Sequence, residues 1–395
     1  MTDPTAGGHA YHDVTRWLAF AIAIAALFLA LWIIIPAPTY FLLTFGVGGP
    51  EVSAWIIVAS VIGIGLVVRD VQHSVVAKIV VAACLVSFVL SASIFARLPS
   101  TIRRFDAAMR GMSATPITPL RARPLVVRDL FFGIPRVESR VTHAVPFAKP
   151  DGVPLTLEVH QPKRPGLFPI VVQVYGGAWQ RGDPTSHANF ASWLASSGYV
   201  VFAIDYRHAP QWKWPTLLDD VDSALAWVAA HGAEYGGDTS RVVLLGRSAG
   251  AHLAMLAAYR PSALRVRAVV SYYGPADLVD AYRNPPRPDP LHCRELEEAL
   301  IGGTPDQMPE RYAEASPIMY ATKPLPATLL IYGRRDHSVE AKFGAQLGER
   351  LATTGTRVAY LEIPWAEHAF DEVFNGVSSQ LALFYTERFL AFAVR

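Results

Sequence analysis

The chain has 395 residues, enough for one large domain with a second region beside it. Hydrophobic residues make up 52% and charged residues only 17%, which is too apolar for a purely soluble enzyme. The net charge of +2 gives no basis for nucleic-acid binding. The two cysteines, Cys84 and Cys293, lie in unlike surroundings, form no disulfide framework, and join no cluster with zinc-ligand spacing.

The apolar excess is concentrated near the N-terminus. Residues 17–35 are unbroken by charge, and a helix of that length rises about 28 Å, close to the ~30 Å of a bilayer's hydrocarbon. A second uncharged run, 52–68, is bracketed by Glu51 and Arg69. A third, near 76–96, is uncharged between Lys78 and Arg97. Soluble helices of this length carry a polar face, and these do not. Residues 1–98 therefore read as a bundle of about three transmembrane helices, and the bilayer is an expected partner. Tyr40 to Leu43 read as a short connecting loop or a helix extension. Arg16, Arg69 and Lys78 fall on one side of such a bundle, and the loop 36–51 has no Lys or Arg. Arg97, Arg103, Arg104 and Arg110 argue the reverse. Because the first helices often dominate, the balance favours an extracytoplasmic C-terminal domain in the cell membrane.

Residues 99–139 mix arginines, prolines and short apolar patches and read as a linker or cap, with one helix near 102–112. From residue 140 the pattern changes to short β-rich runs alternating with helical ones. Runs 141–147 and 155–160 suggest an antiparallel opening pair. Runs 170–174, 200–204, 242–245, 268–272, 328–331 and 359–363 suggest buried strands. Helices are expected near 188–197, 217–231, 249–258, 340–353 and 378–392. Strands alternating with helices imply right-handed crossovers and a mostly parallel sheet, hence an α/β domain over 140–395. Residues 275–316 break the alternation and read as an inserted lid or pocket segment.

Gly246-Arg247-Ser248-Ala249-Gly250 stands between an expected strand and an expected helix. A serine on such an elbow exposes its hydroxyl at the sheet edge, and flanking glycines leave room for the strained turn. The hydroxyl needs an imidazole to take its proton, and the imidazole needs a carboxylate to fix its tautomer. Asp336 follows the strand 328–331 and His368 follows the next one, in the chain order of a nucleophile-elbow enzyme. Asp336 could alternatively cap the following helix. His337 lies on the acid's own loop, and His252 and His208 read as structural. Glu367 and Asp371 flank His368, but sequence neighbours rarely point at each other, so Asp336 is preferred. Tyr175-Gly176-Gly177-Ala178-Trp179 follows a strand directly. Its N–H groups at Gly177 and Ala178, with Gly176 as a further candidate, suit a developing oxyanion, joined by that of Ala249. Tyr175, Trp179 and Arg247 are candidates for the substrate pocket.

Together these pieces, with Asp205-Tyr206-Arg207-His208-Ala209-Pro210 and Gly333-Arg334-Arg335-Asp336, make residues 140–395 resemble the hormone-sensitive-lipase-like branch of the α/β-hydrolases. The resemblance implies an esterase or lipase with Ser248, Asp336 and His368 as its triad, acting on an ester substrate without metal or organic cofactor. The tail of the elbow also resembles arylformamidases and prenylcysteine methylesterases, and the apolar N-terminal runs are similar to those of membrane-bound bacterial esterases. An amidase, a methylesterase or a transacylase would use the same residues. A non-catalytic membrane scaffold is the reading from another class. Where the family has His and often Asp or His, this chain has Tyr175 and Arg247. Tyr175 can brace its loop through the hydroxyl. Arg247 either reaches an anionic group of the substrate or pairs with an acid such as Asp220, and pairing is favoured because buried charges are paired.

Overall fold

The computed structural model describes residues 4–112, 121–135 and 138–395, with side chains of the first helix from residue 13 onward. The N-terminal region is helical: α1 (Pro4–Leu31), α2 (Tyr40–Glu51), α3 (Ser53–Val67) and α4 (Val75–Ala108). Three helical segments, Asp13–Leu31, Ser53–Asp70 and Val75–Ala108, are long and apolar enough to cross a membrane. They pack through small residues. Ala19, Ala23 and Ala77 are buried together, and a Cβ on Gly63 would lie 2.8 Å from Cys84 Sγ. Buried hydroxyls return to their own helix, Ser60 to Ile56 O and Ser87 to Ala83 O, as apolar surroundings demand. The outer faces stay apolar and exposed, with Trp17 and Val61 among them.

Two expectations need correction here. Residues 40–43 are neither a loop nor an extension of α1 but the start of a separate helix, α2. Thr39 caps it by accepting from Leu42 N–H, and the pattern was obscured by Gly46, Gly48, Gly49 and Pro50, all poor helix formers. The expected boundary near residue 98 falls inside α4, which runs through Pro99 as one helix to Ala108. Proline there removes one ladder bond, yet the helix continues because its far end is packed. Phe105 meets the Tyr385 ring edge-on at 5.2 Å, and the Tyr385 hydroxyl donates to Asp106 at 2.8 Å. Residues 113–120 and 136–137 of the expected linker lie outside the described residues, and α5 (Val127–Phe132) follows the first gap.

The C-terminal region is an eight-stranded sheet in the order β1-β2-β4-β3-β5-β6-β7-β8. The strands are β1 (Arg140–Ala148), β2 (Leu155–Gln161), β3 (Phe168–Val174), β4 (Val200–Ile204), β5 (Gly237–Arg247), β6 (Val266–Tyr272), β7 (Ala327–Gly333) and β8 (Val358–Ile363). From β4 onward across the sheet all pairs are parallel, and β1 and β2 form the antiparallel opening. Helices α6 (Ala188–Ser196), α7 (Thr216–His231), α8 (Ala249–Tyr259), α12 (Ala341–Thr353) and α13 (Val377–Ala393) make the crossovers and the final layer. β3 and β4 are buried along their whole length, as strands covered on both faces must be. Residues 275–316 interrupt this pattern with three short helices, α9 (Leu278–Arg283), α10 (Cys293–Ile301) and α11 (Pro309–Glu314).

The two regions share specific contacts. Glu51, at the end of α2, is buried, and its carboxylate accepts Ser378 N–H at 2.8 Å, in the first turn of α13. Arg335 donates to the Ile34 carbonyl at 2.6 Å, and Trp55 meets Phe131 edge-on at 5.0 Å. Burial pushes the Glu51 carboxyl up to about 8, against the lowering effect of the Ser378 hydrogen bonds. An acid whose folded pKa is raised loses stability as pH climbs from its unfolded pKa to its folded one. Glu51→Gln, measured in detergent by denaturant unfolding, is therefore expected to match the wild type near pH 4.5. It should gain on the wild type by up to about 1.4 kcal/mol per pH unit toward pH 8. Parallel stability curves across that window would count against a buried, proton-carrying Glu51.

Candidate active site

The strand β5 ends at Arg247 and α8 begins at Ala249, so the turn has a single residue. Ser248 occupies it at φ 51°, ψ −124°, a conformation that side-chain-bearing residues rarely adopt. The glycines on either side are sterically required. A Cβ at Gly246 would collide with the Gly250 carbonyl, and one at Gly250 with the carbonyls of Val174 and Tyr175. The elbow lifts Ser248 Oγ to 2.9 Å from His368 Nε2. His368 Nδ1 lies 2.7 Å from Asp336 Oδ2. The other oxygen of Asp336 accepts the N–H groups of Ser338 and Val339, at 2.8 and 2.7 Å, which fixes the orientation of the carboxylate. Asp336 therefore does not cap the following helix: α12 starts at Ala341 with Glu340 at its N-cap, and the Asp336 carboxylate closes a turn in the loop ahead of it while pairing with His368.

The charges around His368 are sorted by partner. Glu367 accepts from the backbone N–H of His337 and His368 and contacts the His337 ring at 2.6 Å. Asp371 takes the Arg247 guanidinium at 2.5 Å and the Tyr273 hydroxyl. Burial opposes the charged form of His368, but Asp336, with Glu367 and Asp371 behind it, outweighs burial and raises the imidazole above its ordinary 6.5. His252, by contrast, is pushed down to about 4 by burial. It bridges Trp179 Nε1 and the Ala315 carbonyl as a neutral structural group.

Beside Ser248 runs the turn after β3. A Cβ on Gly176 would lie 2.8 Å from the Arg247 carbonyl and 3.1 Å from Ser248 Cβ. Gly177, at φ +128°, has no room for one against the Arg181 carbonyl. Only a glycine pair brings this backbone against the elbow. Two cavities meet at Ser248. A narrow one of about 40 Å³ lies under the 275–316 segment, against Trp179, Leu296, Glu297 and Phe343. A wide one of about 710 Å³ opens between the glycine turn, the His368 loop and α2.

Residues 157–351 match the BD-FAE family, which belongs to the α/β-hydrolase superfamily. The chain is 34% identical over 242 residues to a probable carboxylic ester hydrolase, LipM, of Mycobacterium tuberculosis, covering 57% of this chain and 54% of the relative. To the esterase LipC of the same organism it is 36% identical over 220 residues, covering 51% and 53%. The chain thus spans about half the length of the curated relatives it matches. A solved arylesterase shares the fold, with a TM-score of 0.54 at 20% identity, covering 66% of this chain and 87% of that one.

Three pocket candidates fare differently within the hydrolase domain. Trp179 lines the narrow cavity. Tyr175 does not line either cavity: it is buried behind the glycine turn, stacked on Tyr206 at 4.5 Å, with its hydroxyl donating to Asp205 at 2.6 Å. It braces the loop. Arg247 lines the wide cavity and is paired, as favoured, but with Asp371; Asp220 is held by Arg207 at 2.8 Å instead. The partner lies far along the chain, where sequence proximity gave no signal. The guanidinium also stacks over Phe190 at 4.4 Å and Tyr272 at 5.0 Å. Sequence reasoning missed Tyr273, whose ring packs 4.6 Å from that of His368. Its place just past β6, in Tyr272-Tyr273-Gly274, was the available signal. It also missed Glu297, whose Oε2 is buried in the narrow cavity's wall without a partner among the described residues. Burial, with Asp277 and Asp289 nearby, holds that carboxyl well above the carboxylate range.

Removing one member of a buried ion pair strands the other, at about 3–5 kcal/mol. Arg247→Met is expected to lose that much stability in denaturant unfolding, and adding Asp371→Asn to restore more than half. A single-variant loss under about 1 kcal/mol would refute the pairing's structural weight.

Proposed function

We propose that this chain is a membrane-anchored serine carboxylesterase. Ser248 Oγ attacks the ester carbonyl as His368 Nε2 takes its proton. Asp336 holds the imidazole in the required tautomer and stabilises its charged form. The tetrahedral oxyanion is met by the N–H groups of Gly177 and Ala178, with Gly176 adjacent, and by that of Ala249. As the first residue of α8, Ala249 has no acceptor within its own helix. The alcohol leaves with the proton from His368, and water, deprotonated by the same imidazole, releases the acid from Ser248. The observation that carries this reading is the unbroken relay of 2.9 and 2.7 Å from Ser248 through His368 to Asp336, at the mouth of an open cavity. The esterase names of the relatives agree with it.

The anchor is the N-terminal bundle, and the reading puts the catalytic domain on the extracytoplasmic side. Arg16 and Asp70, 3.1 Å apart, mark one end of the bundle, beside Arg69. The opposite end carries the stretch 36–51, without Lys or Arg, and that end meets the catalytic domain.

Ser248→Ala is expected to lower kcat/KM on p-nitrophenyl acetate by at least about 10³-fold while leaving the fold intact. His368 must be neutral to act as base, and its pKa is raised, so wild-type kcat/KM should fall toward acid with a midpoint above 6.5. Wild-type rates in the serine variant, or an acid limb centred below 6, would sink the assignment.

A further inference from the structure

The wide cavity at Ser248 is not made by the hydrolase domain alone. One of its walls is α2, which contributes Tyr40, Leu43, Thr44, Val47 and Gly48 opposite Gly177, Ser248 and His368. We propose that α2 is the specificity wall of the enzyme, and that the substrate is an amphiphilic ester. Its longer hydrocarbon part lies along α2, and it reaches Ser248 from the bilayer. This rests on the esterase reading and adds the substrate class to it.

Helix α2 is fixed in place rather than resting nearby. The Arg181 guanidinium, in the loop after the glycine turn, stacks over the Tyr40 ring at 4.7 Å. Gly46 faces the His368 loop, where an added Cβ would be 3.8 Å from Glu367 Cγ. Gly49 packs on α1, where a Cβ would lie 2.6 Å from the Leu29 carbonyl. Glu51 ties the last turn to α13. Gly48 differs from its neighbours: a Cβ there would meet nothing within 4 Å, because that side of the helix opens on the cavity. No charged residue precedes Glu51 in α2, so the wall offered to a ligand is almost wholly apolar.

The two cavities at Ser248 differ in size by more than tenfold. At about 40 Å³ the narrow cavity is much the smaller, whereas 710 Å³ lies within the ~300–1,000 Å³ of pockets that engulf whole ligands. An ester with one short and one long partner fits that asymmetry. The approach is apolar too. Ile34, Ile35, Tyr40 and Phe41 are exposed where the first helix hands over to α2, and Phe41 is 73% exposed. Such a rim belongs at a bilayer surface, where an amphiphile can slide from lipid into the cavity without crossing water.

The test uses the full chain in detergent micelles and follows acid release from three esters. Ethyl acetate is short on both sides, while methyl laurate and lauryl acetate place the long chain on opposite sides of the carbonyl. Wild type is expected to prefer at least one long ester. Gly48→Trp and, as a second variant on the same wall, Val47→Trp should each lower that preference, as a ratio of kcat/KM values, at least tenfold. Gly65→Trp, a matched helical glycine with equally open space but outside the cavity, should keep it within twofold. If ethyl acetate is hydrolysed but no long ester is preferred, or the preference survives both α2 variants, the wall is refuted and the esterase reading stands. If wild type cleaves none of the three, the esterase reading fails and this inference with it.

Discussion

Ser248 is held at positive φ, a region that costs a residue with a side chain of order 1–3 kcal/mol. It stays there because β5 and α8 are locked on either side, with every residue of α8 buried. The two flanking glycines let neighbouring backbones close to contact distance. The other features of the site follow from that turn. It projects Oγ off the end of the sheet, where the loops after β7 and β8 deliver Asp336 and His368. It also brings the Arg247 carbonyl against Gly176, so the glycine turn after β3 is seated on the elbow itself.

Three carboxylates lie close to His368, and the geometry gives each a different cation or donor. Asp336 takes the imidazole, Glu367 takes His337, and Asp371 takes Arg247 and Tyr273. Arg247 draws the Asp371 carboxyl below its ordinary range, against the effect of burial. With that charge neutralised by its own partner, Asp336 is left as the single carboxylate bonded to the imidazole. A buried ion pair is weak evidence for stability, since desolvation offsets much of its attraction. Here it fixes which side chain faces which, and the Tyr273 ring against His368 carries that order to the imidazole.

The hydrolase domain was legible because its strands are short, apolar and separated by turn residues, and because the serine, the acid and the histidine each follow a strand. Local steric logic sufficed for Gly246, Gly250, Gly176 and Gly177. What escaped depends on packing between distant segments. Nothing near Arg247 names Asp371, and Tyr175 reads equally well as a pocket residue until the Asp205 hydrogen bond is seen. Helix α2 was hidden by its own composition: three glycines and a proline in twelve residues argue for a loop. Those glycines are explained by tertiary contacts instead, with α1 at Gly49 and the His368 loop at Gly46.

The account stands on Ser248 being a nucleophile made reactive by His368. A fluorophosphonate measures this directly, since an activated serine displaces its fluoride and keeps the phosphonyl group. Mass spectrometry of the labelled, folded full chain is expected to find one adduct, on the peptide carrying Ser248, and to lose it in His368→Ala. An unlabelled Ser248 in folded protein, or labelling that persists without His368, would contradict it.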